Sequence, residues 1–129
     1  PIVETRNRDG FADAQQAGPG SLYDGPLVTL VNSGTASASE ILAGALQDDG
    51  RSPLLGSRTF GKGLIQTLIG LGGDGSGLAV TVARYVTPSG RDIQNLGIEP
   101  DRLLPQPEPL NPGGDDDPWL EAALEALSA

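Results

Sequence analysis

Pro26-Leu27-Val28-Thr29-Leu30-Val31-Asn32-Ser33-Gly34-Thr35-Ala36-Ser37-Ala38-Ser39-Glu40-Ile41-Leu42 decides the fold. Leu27 to Val31 is a continuous apolar run, the pattern of a strand covered on both faces. The small-residue turn after it opens an Ala/Leu-rich helix, predicted from about Ala36 to Asp49. Ile41, Leu42, Ala45 and Leu46 stand at helical spacing, and Gly50 is placed to stop the helix. Pro53-Leu54-Leu55-Gly56 reads as a second short buried strand. Strand, helix, strand predicts a parallel crossover and an α/β fold.

Outward from that unit, Ile2 to Arg6 reads as a short strand, and residues 11–25 as a polar, exposed excursion. Leu64–Ile69 and Leu78–Val86 read as a hairpin, with Thr87-Pro88-Ser89-Gly90 as a turn after it. The ordered core, residues 1–103, closes near Gly97-Ile98-Glu99-Pro100-Asp101. Residues 104–116 read as a Pro/Gly/Asp-rich linker, and residues 117–129 as a helix with Asp117 as N-cap and Pro118 at its first position. Leu120, Ala123, Leu124 and Leu127 give that helix an apolar stripe.

Composition excludes several chemistries. The 129 residues carry a net charge of -9, which argues against nucleic-acid and anionic-membrane partners. There is no Cys, hence no thiol nucleophile, disulfide or thiolate metal site. There is no His, hence no Ser-His-Asp triad and none of the commonest metal ligand. Asp115-Asp116-Asp117 reads as solvated charge with capping value, so no metal and no cofactor is expected. No apolar run approaches the roughly 18 residues of a membrane span, and no signal peptide is visible. Pro1 stands where an initiator Met would, so a fragment or a processed product is expected.

Any nucleophile must then be a hydroxyl activated by Lys or a carboxylate. Ser37 sits where the strand turns into the helix, near free backbone N–H groups. Two readings compete for it. Ser37 and Glu40 have the spacing of a capping box, in which the serine only caps the helix. A nucleophile at the same place must turn its Oγ outward, leaving Thr35 or Ser39 as rival caps. Lys62 stands between Gly61 and Gly63, which let backbone close in and bury the ammonium. The competing reading is an ordinary exposed lysine in a glycine turn. If residues 62–66 are extended, Gln66 shares a face with Lys62, and its amide can orient the amine without adding charge. Asp48 lies eleven residues beyond Ser37, about 16 Å along a straight helix, so it is expected to act outside the site. Arg84 and Arg91 are free either to bind a carboxylate or to pair with the many acids.

Four linked stretches carry a resemblance: Leu30–Ile41 with Ala43–Asp48, Gly56–Gly63 with Gln66, Ala83–Arg91, and Gly97–Asp101. Together, in this order and spacing, they resemble the carboxy-terminal processing (tail-specific) peptidases. The resemblance implies a ClpP/crotonase-like α/β core. It implies a serine–lysine dyad with Ser37 as nucleophile, Lys62 as general base and Gln66 orienting the lysine. The Ala38 N–H falls on one half of the oxyanion hole, and Asp48 on an acidic family position. It further implies polypeptide substrates with a free C-terminus and an extracytoplasmic setting: periplasm, envelope or thylakoid lumen. The family's PDZ domain and the strand that supplies the second oxyanion donor are not recognisable in these residues. A fragment of this kind is expected to expose sheet edges that invite homo-oligomers. The alternatives are a peptide-binding scaffold on the same fold and an acyl-binding, hydratase-like domain.

Overall fold

The computed structural model describes residues 1–109 and 111–129. Two sheets carry the chain. The first is antiparallel and contains β1 (Val3–Asn7), β2 (Ala12–Gln15), and two later strands described below. The second is parallel. It begins with β3 (Thr29–Val31), passes through α1 (Ala38–Asp48) and returns as β4 (Leu54–Gly56). This is the crossover predicted from the sequence. The antiparallel sheet then continues with β5 (Leu64–Gly70) and β6 (Gly77–Val86), giving the order β2-β1-β6-β5. A two-residue strand, β7 (Arg102–Leu103), joins β4 in parallel, and α2 (Pro118–Ser128) ends the chain.

The parallel sheet is covered on both faces at its middle strand. Leu54 packs with Val31, Ala43 and Ile98 on the α1 side. Leu55 packs with Leu104, Trp119 and Ala122 on the α2 side. Successive strand residues point to opposite faces, so β4 stitches the two helices onto one sheet. The Trp119 indole N–H donates to the Pro105 carbonyl at 2.8 Å, so its polar tip is satisfied in the core.

Several expectations need correcting. β3 is three residues long and forms an edge, with Leu30 exposed; only Val31 is buried, so the strand is not covered on both faces. The buried side of α1 is Glu40, Ala43, Gly44 and Ala45, and Leu42 faces outward. Gly44 is there because Thr87 and Ile98 press onto the helix where a Cβ would stand. The buried side of α2 is Trp119, Ala122 and Ala123, whereas Leu120, Leu124 and Leu127 are exposed. Periodicity finds an apolar stripe but not which of two apolar faces meets a neighbour. β2 and β7 carry too few apolar residues to register as strands in the sequence.

Gly56 sits where β4 meets the Trp119 ring, with φ +132. A Cβ there would be driven into the Val31 carbonyl and the indole. Gly56→Ala is expected to cost about 3 kcal/mol or more, as backbone strain plus overpacking. Gly50→Ala, at φ +65 with open space around it, should cost about 1 kcal/mol. Urea midpoints of the two variants check the contrast.

Candidate active site

Ser37 opens α1 with φ 56 and ψ -117, a conformation that L residues rarely adopt. Holding a non-glycine residue there costs on the order of 1–3 kcal/mol, and such outliers cluster at functional sites. The sharp strand-to-helix turn is the geometry that exposes a serine Oγ. Ser37 and Glu40 do have capping-box spacing, but the Ser37 side chain makes no cap hydrogen bond. The reverse half is made: the Ser37 N–H donates to Glu40 Oε2 at 2.8 Å. The rival Thr35 hydroxyl is used within the turn, accepting from the Asn32 N–H at 3.1 Å. Ala38 is the first residue of α1, where a backbone N–H has no carbonyl behind it to bond.

Glu40 does far more than cap. Its side chain is wholly buried, yet it belongs to the most polar corner of the core. Oε1 accepts from the Thr59 hydroxyl at 2.5 Å and the Gly61 N–H at 2.7 Å. Oε2 accepts from the Lys62 N–H at 2.9 Å and the Ser37 N–H at 2.8 Å. One oxygen therefore holds the backbones of both candidate catalytic residues. The two nitrogens can lie no farther apart than those two bonds laid end to end. A carboxylate satisfied by several donors is an inexpensive buried acceptor, and removing it strands every donor. The sequence placed Glu40 beside Ser37 but carried no signal of its long-range partners in residues 59–62.

The loop bearing Lys62 is pinned from its other side as well. The Asn95 N–H donates to the Gly61 carbonyl at 3.0 Å, and the Gly63 N–H to Gln94 Oε1 at 2.9 Å. The Phe60 N–H donates to the Thr35 carbonyl at 2.9 Å. Gly61 and Gly63 do permit a close approach, but what approaches is the backbone of residues 93–97. The glycines are buried and Lys62 is exposed. Of the two readings of Lys62, the exposed side chain is the one the structure shows. Among the described residues, Lys62 Nζ has no hydrogen bond to Ser37 Oγ and no ion pair. Gln66 is exposed too, and its amide reaches Thr81 Oγ1 at 3.5 Å instead of the lysine. The backbones of the two candidate residues are held on one carboxylate; their side chains do not meet.

The sequence model of Peptidase family S41 matches residues 1–104. The chain belongs to that family. It is 55% identical over 130 residues to the carboxyl-terminal-processing protease of Picosynechococcus sp., covering 98% of this chain and 31% of that protein. It is 58% identical over 132 residues to the protein of the same name from Synechocystis sp., covering 98% and 30%. The solved photosystem II D1 C-terminal processing protease matches with a TM-score of 0.74 at 55% identity, over 80% of this chain and 27% of that one. The chain therefore spans less than a third of the length of these relatives. The mixed α/β architecture agrees with the fold that the sequence implied.

In this S41 chain Asp48 stands at the far end of α1 and ties it to the turn after β6. It accepts from the Ser89 N–H at 2.9 Å and from the Arg91 guanidinium. Gln47 Oε1 takes a second bond from Arg91 at 3.0 Å. Arg84 likewise pairs with Asp92 at 2.9 Å, so both arginines are spent on acids of the same chain. Burial pushes the Asp48 carboxyl up, but hydrogen bonds from Thr87 and Ser89 and the Arg91 charge outweigh it and hold the carboxyl below its usual range. A depressed folded value stabilises above the unfolded value, near roughly 3.9, and that stability is lost as pH falls through the folded value. Asp48→Asn is expected to lower the melting temperature at pH 7, at a cost of about 1–2 kcal/mol. The gap from wild type should close at the acid end of a melting series below about pH 4. A gap that stays constant with pH would remove the ionic account of this tie.

Proposed function

We propose that this chain supplies the nucleophile and base of a serine peptidase that cuts polypeptides near their C-terminus. Ser37 Oγ attacks the scissile carbonyl while Lys62 Nζ takes its proton and returns it to the leaving amine. The acyl-enzyme ester on Ser37 is then hydrolysed by a water that Lys62 deprotonates. The Ala38 N–H stabilises the oxyanion, and Gln66 orients the lysine. The observation that carries this reading is the shared carboxylate: Glu40 Oε2 holds the Ser37 and Lys62 backbones, with Ser37 in a strained turn.

A general base must be a neutral amine, and desolvation favours that form; the exposed Lys62 gains it when bound substrate or the rest of a longer protein covers the side chain. The same exposure favours the second reading, a peptide-binding scaffold without catalysis. Homo-oligomers formed through the sheet edges, and an extracytoplasmic setting such as a thylakoid lumen or periplasm, belong to the proposal as well. Relatives named as chloroplastic processing peptidases, in Tetradesmus obliquus and Arabidopsis thaliana, support the latter. The test is mass spectrometry of a polypeptide with an apolar C-terminus after incubation with the protein that carries this chain. Cleavage near the C-terminus that vanishes in Ser37→Ala supports the peptidase. Binding without cleavage by the unmodified protein supports the scaffold.

A further inference from the structure

We infer that Gln94 is a positioning residue for the general base: its side-chain oxygen fixes the peptide group that follows Lys62, and with it the direction in which the lysine leaves the backbone. This rests on, and deepens, the peptidase reading. Lys62 lies between two glycines, the residues that restrain a backbone least. Its placement therefore depends on what its two flanking peptide groups are bonded to, because each peptide group moves as a rigid plane. The plane before Lys62 contains the Gly61 carbonyl and the Lys62 N–H. The carbonyl accepts from the Asn95 N–H at 3.0 Å, and the N–H donates to Glu40 Oε2 at 2.9 Å. The plane after Lys62 carries the Gly63 N–H, which donates to Gln94 Oε1 at 2.9 Å. Glu40 and Asn95 thus hold φ of Lys62, and Gln94 holds ψ. A turn about either bond swings the Cα–Cβ direction, and the long side chain carries that swing out to Nζ.

Gln94 is itself held in place for this. Ile93 and Ile98, each 1% exposed, anchor both ends of its segment in the core. The segment lies directly on the lysine loop. The Thr59 N–H donates to the Ile98 carbonyl at 3.1 Å, and the Ile98 N–H to Thr59 Oγ1 at 2.7 Å. A Cβ on Gly63 would collide with the Gln94 nitrogen and with Ile93. The Gln94 N–H donates to Asp92 Oδ1 at 3.2 Å, and the other oxygen of that carboxylate pairs with Arg84. The Gly63 N–H can only donate, so the oxygen end of the Gln94 amide must face it. The nitrogen end then donates to Asn95 Oδ1 at 3.0 Å. Among the described residues, Gln94 is the only side chain of residues 93–98 that bonds the lysine loop. Its neutrality suits a base. A glutamate would accept the same bond, but its charge would favour the ammonium over the amine.

The test is the rate at which a fluorophosphonate modifies Ser37 in the protein that carries this chain, measured as a double-mutant cycle with Lys62→Ala. Gln94→Met keeps the length of the side chain and removes the acceptor. With Lys62 present it should slow labelling about tenfold or more, the scale of a misplaced catalytic group. In the Lys62→Ala background the same change should matter by less than about twofold, because there is no base left to misplace. Gln94→Glu keeps an acceptor for the Gly63 N–H and adds a charge. Its labelling rate should approach that of the unmodified protein at alkaline pH, with the midpoint of the pH profile moved upward. Equal slowing by Gln94→Met in both backgrounds would mean a merely structural role and overturns the inference, as does no slowing in either. If Gln94→Met does not fold, Gln94→Glu decides: a lower rate at every pH with an unmoved midpoint overturns the inference. A rate that Lys62→Ala alone leaves unchanged overturns the peptidase reading, and this inference with it.

Discussion

Glu40→Gln should abolish most of the peptidase activity while leaving a folded protein. Glutamine keeps the size of glutamate but has one acceptor oxygen in place of two. Whichever way its amide turns, the NH2 group faces two of the four donors: either Thr59 and Gly61, or Ser37 and Lys62. Stranding two buried donors costs roughly 1–3 kcal/mol each. The cost in rate comes from position. A misplacement of about 1 Å at a reacting group loses about 10²-fold, and the Ser37 and Lys62 backbones share the oxygen that is altered or strained. The expected outcome, well below the melting temperature, is a fall in kcat of about 10²-fold or more with a smaller change in KM. Thr59→Ala is the internal comparison. It removes one donor from Oε1 and the acceptor of the buried Ile98 N–H but touches neither Ser37 nor Lys62, so it should cost about 2–4 kcal/mol of stability and much less activity. A folded Glu40→Gln protein with full kcat would show that the shared carboxylate is only structural.

Ser37→Gly should remove activity and raise stability together. The hydroxyl is lost, and with it the nucleophile. The Cβ is also lost at φ 56, where glycine is at ease and serine is strained. Relief of roughly 1–3 kcal/mol of strain outweighs the 0.5–1 kcal/mol or so of extra chain entropy that glycine brings. The net expectation is a gain of about 1 kcal/mol, several degrees in melting temperature for a domain of this size. Ser37→Ala should lose activity without that gain. If Ser37 were an ordinary helix cap, glycine would cost a few tenths of a kcal/mol instead. Thermal melts of the glycine variant against wild type separate the two, because the sign differs.

The legible parts of this molecule are those written locally. Strand, small-residue turn and helix around Ser37 follow from adjacent residues, and so do the Gly50 stop and the Asp117 cap, which accepts from the Trp119 and Leu120 N–H groups. The position of Asp48 at the end of α1 away from Ser37 followed from helix geometry alone. The unread parts depend on contacts between distant segments. Glu40 looked like a capping-box partner because only its neighbour three residues back is visible in sequence. The burial of Gly61 and Gly63 was foreseeable, but not that residues 93–97, in place of the lysine, would occupy the space they make. The leucines of α2 and Leu42 of α1 carry the right period, yet Ala43, Gly44 and Ala45 on α1, and Trp119 with Ala122 and Ala123 on α2, take the core. On α1 the small side chains let Thr87 and Ile98 approach the helix closely.

The central claim is that Ser37 is activated by Lys62. It is tested most directly by the rate at which a fluorophosphonate modifies the protein that carries this chain, with the adduct located by peptide mass spectrometry. The expected result is a single adduct on Ser37, formed at least about 10²-fold more slowly in Lys62→Ala, the usual size of a general-base contribution. An adduct on another serine, or a Ser37 rate that Lys62→Ala leaves unchanged, would contradict it.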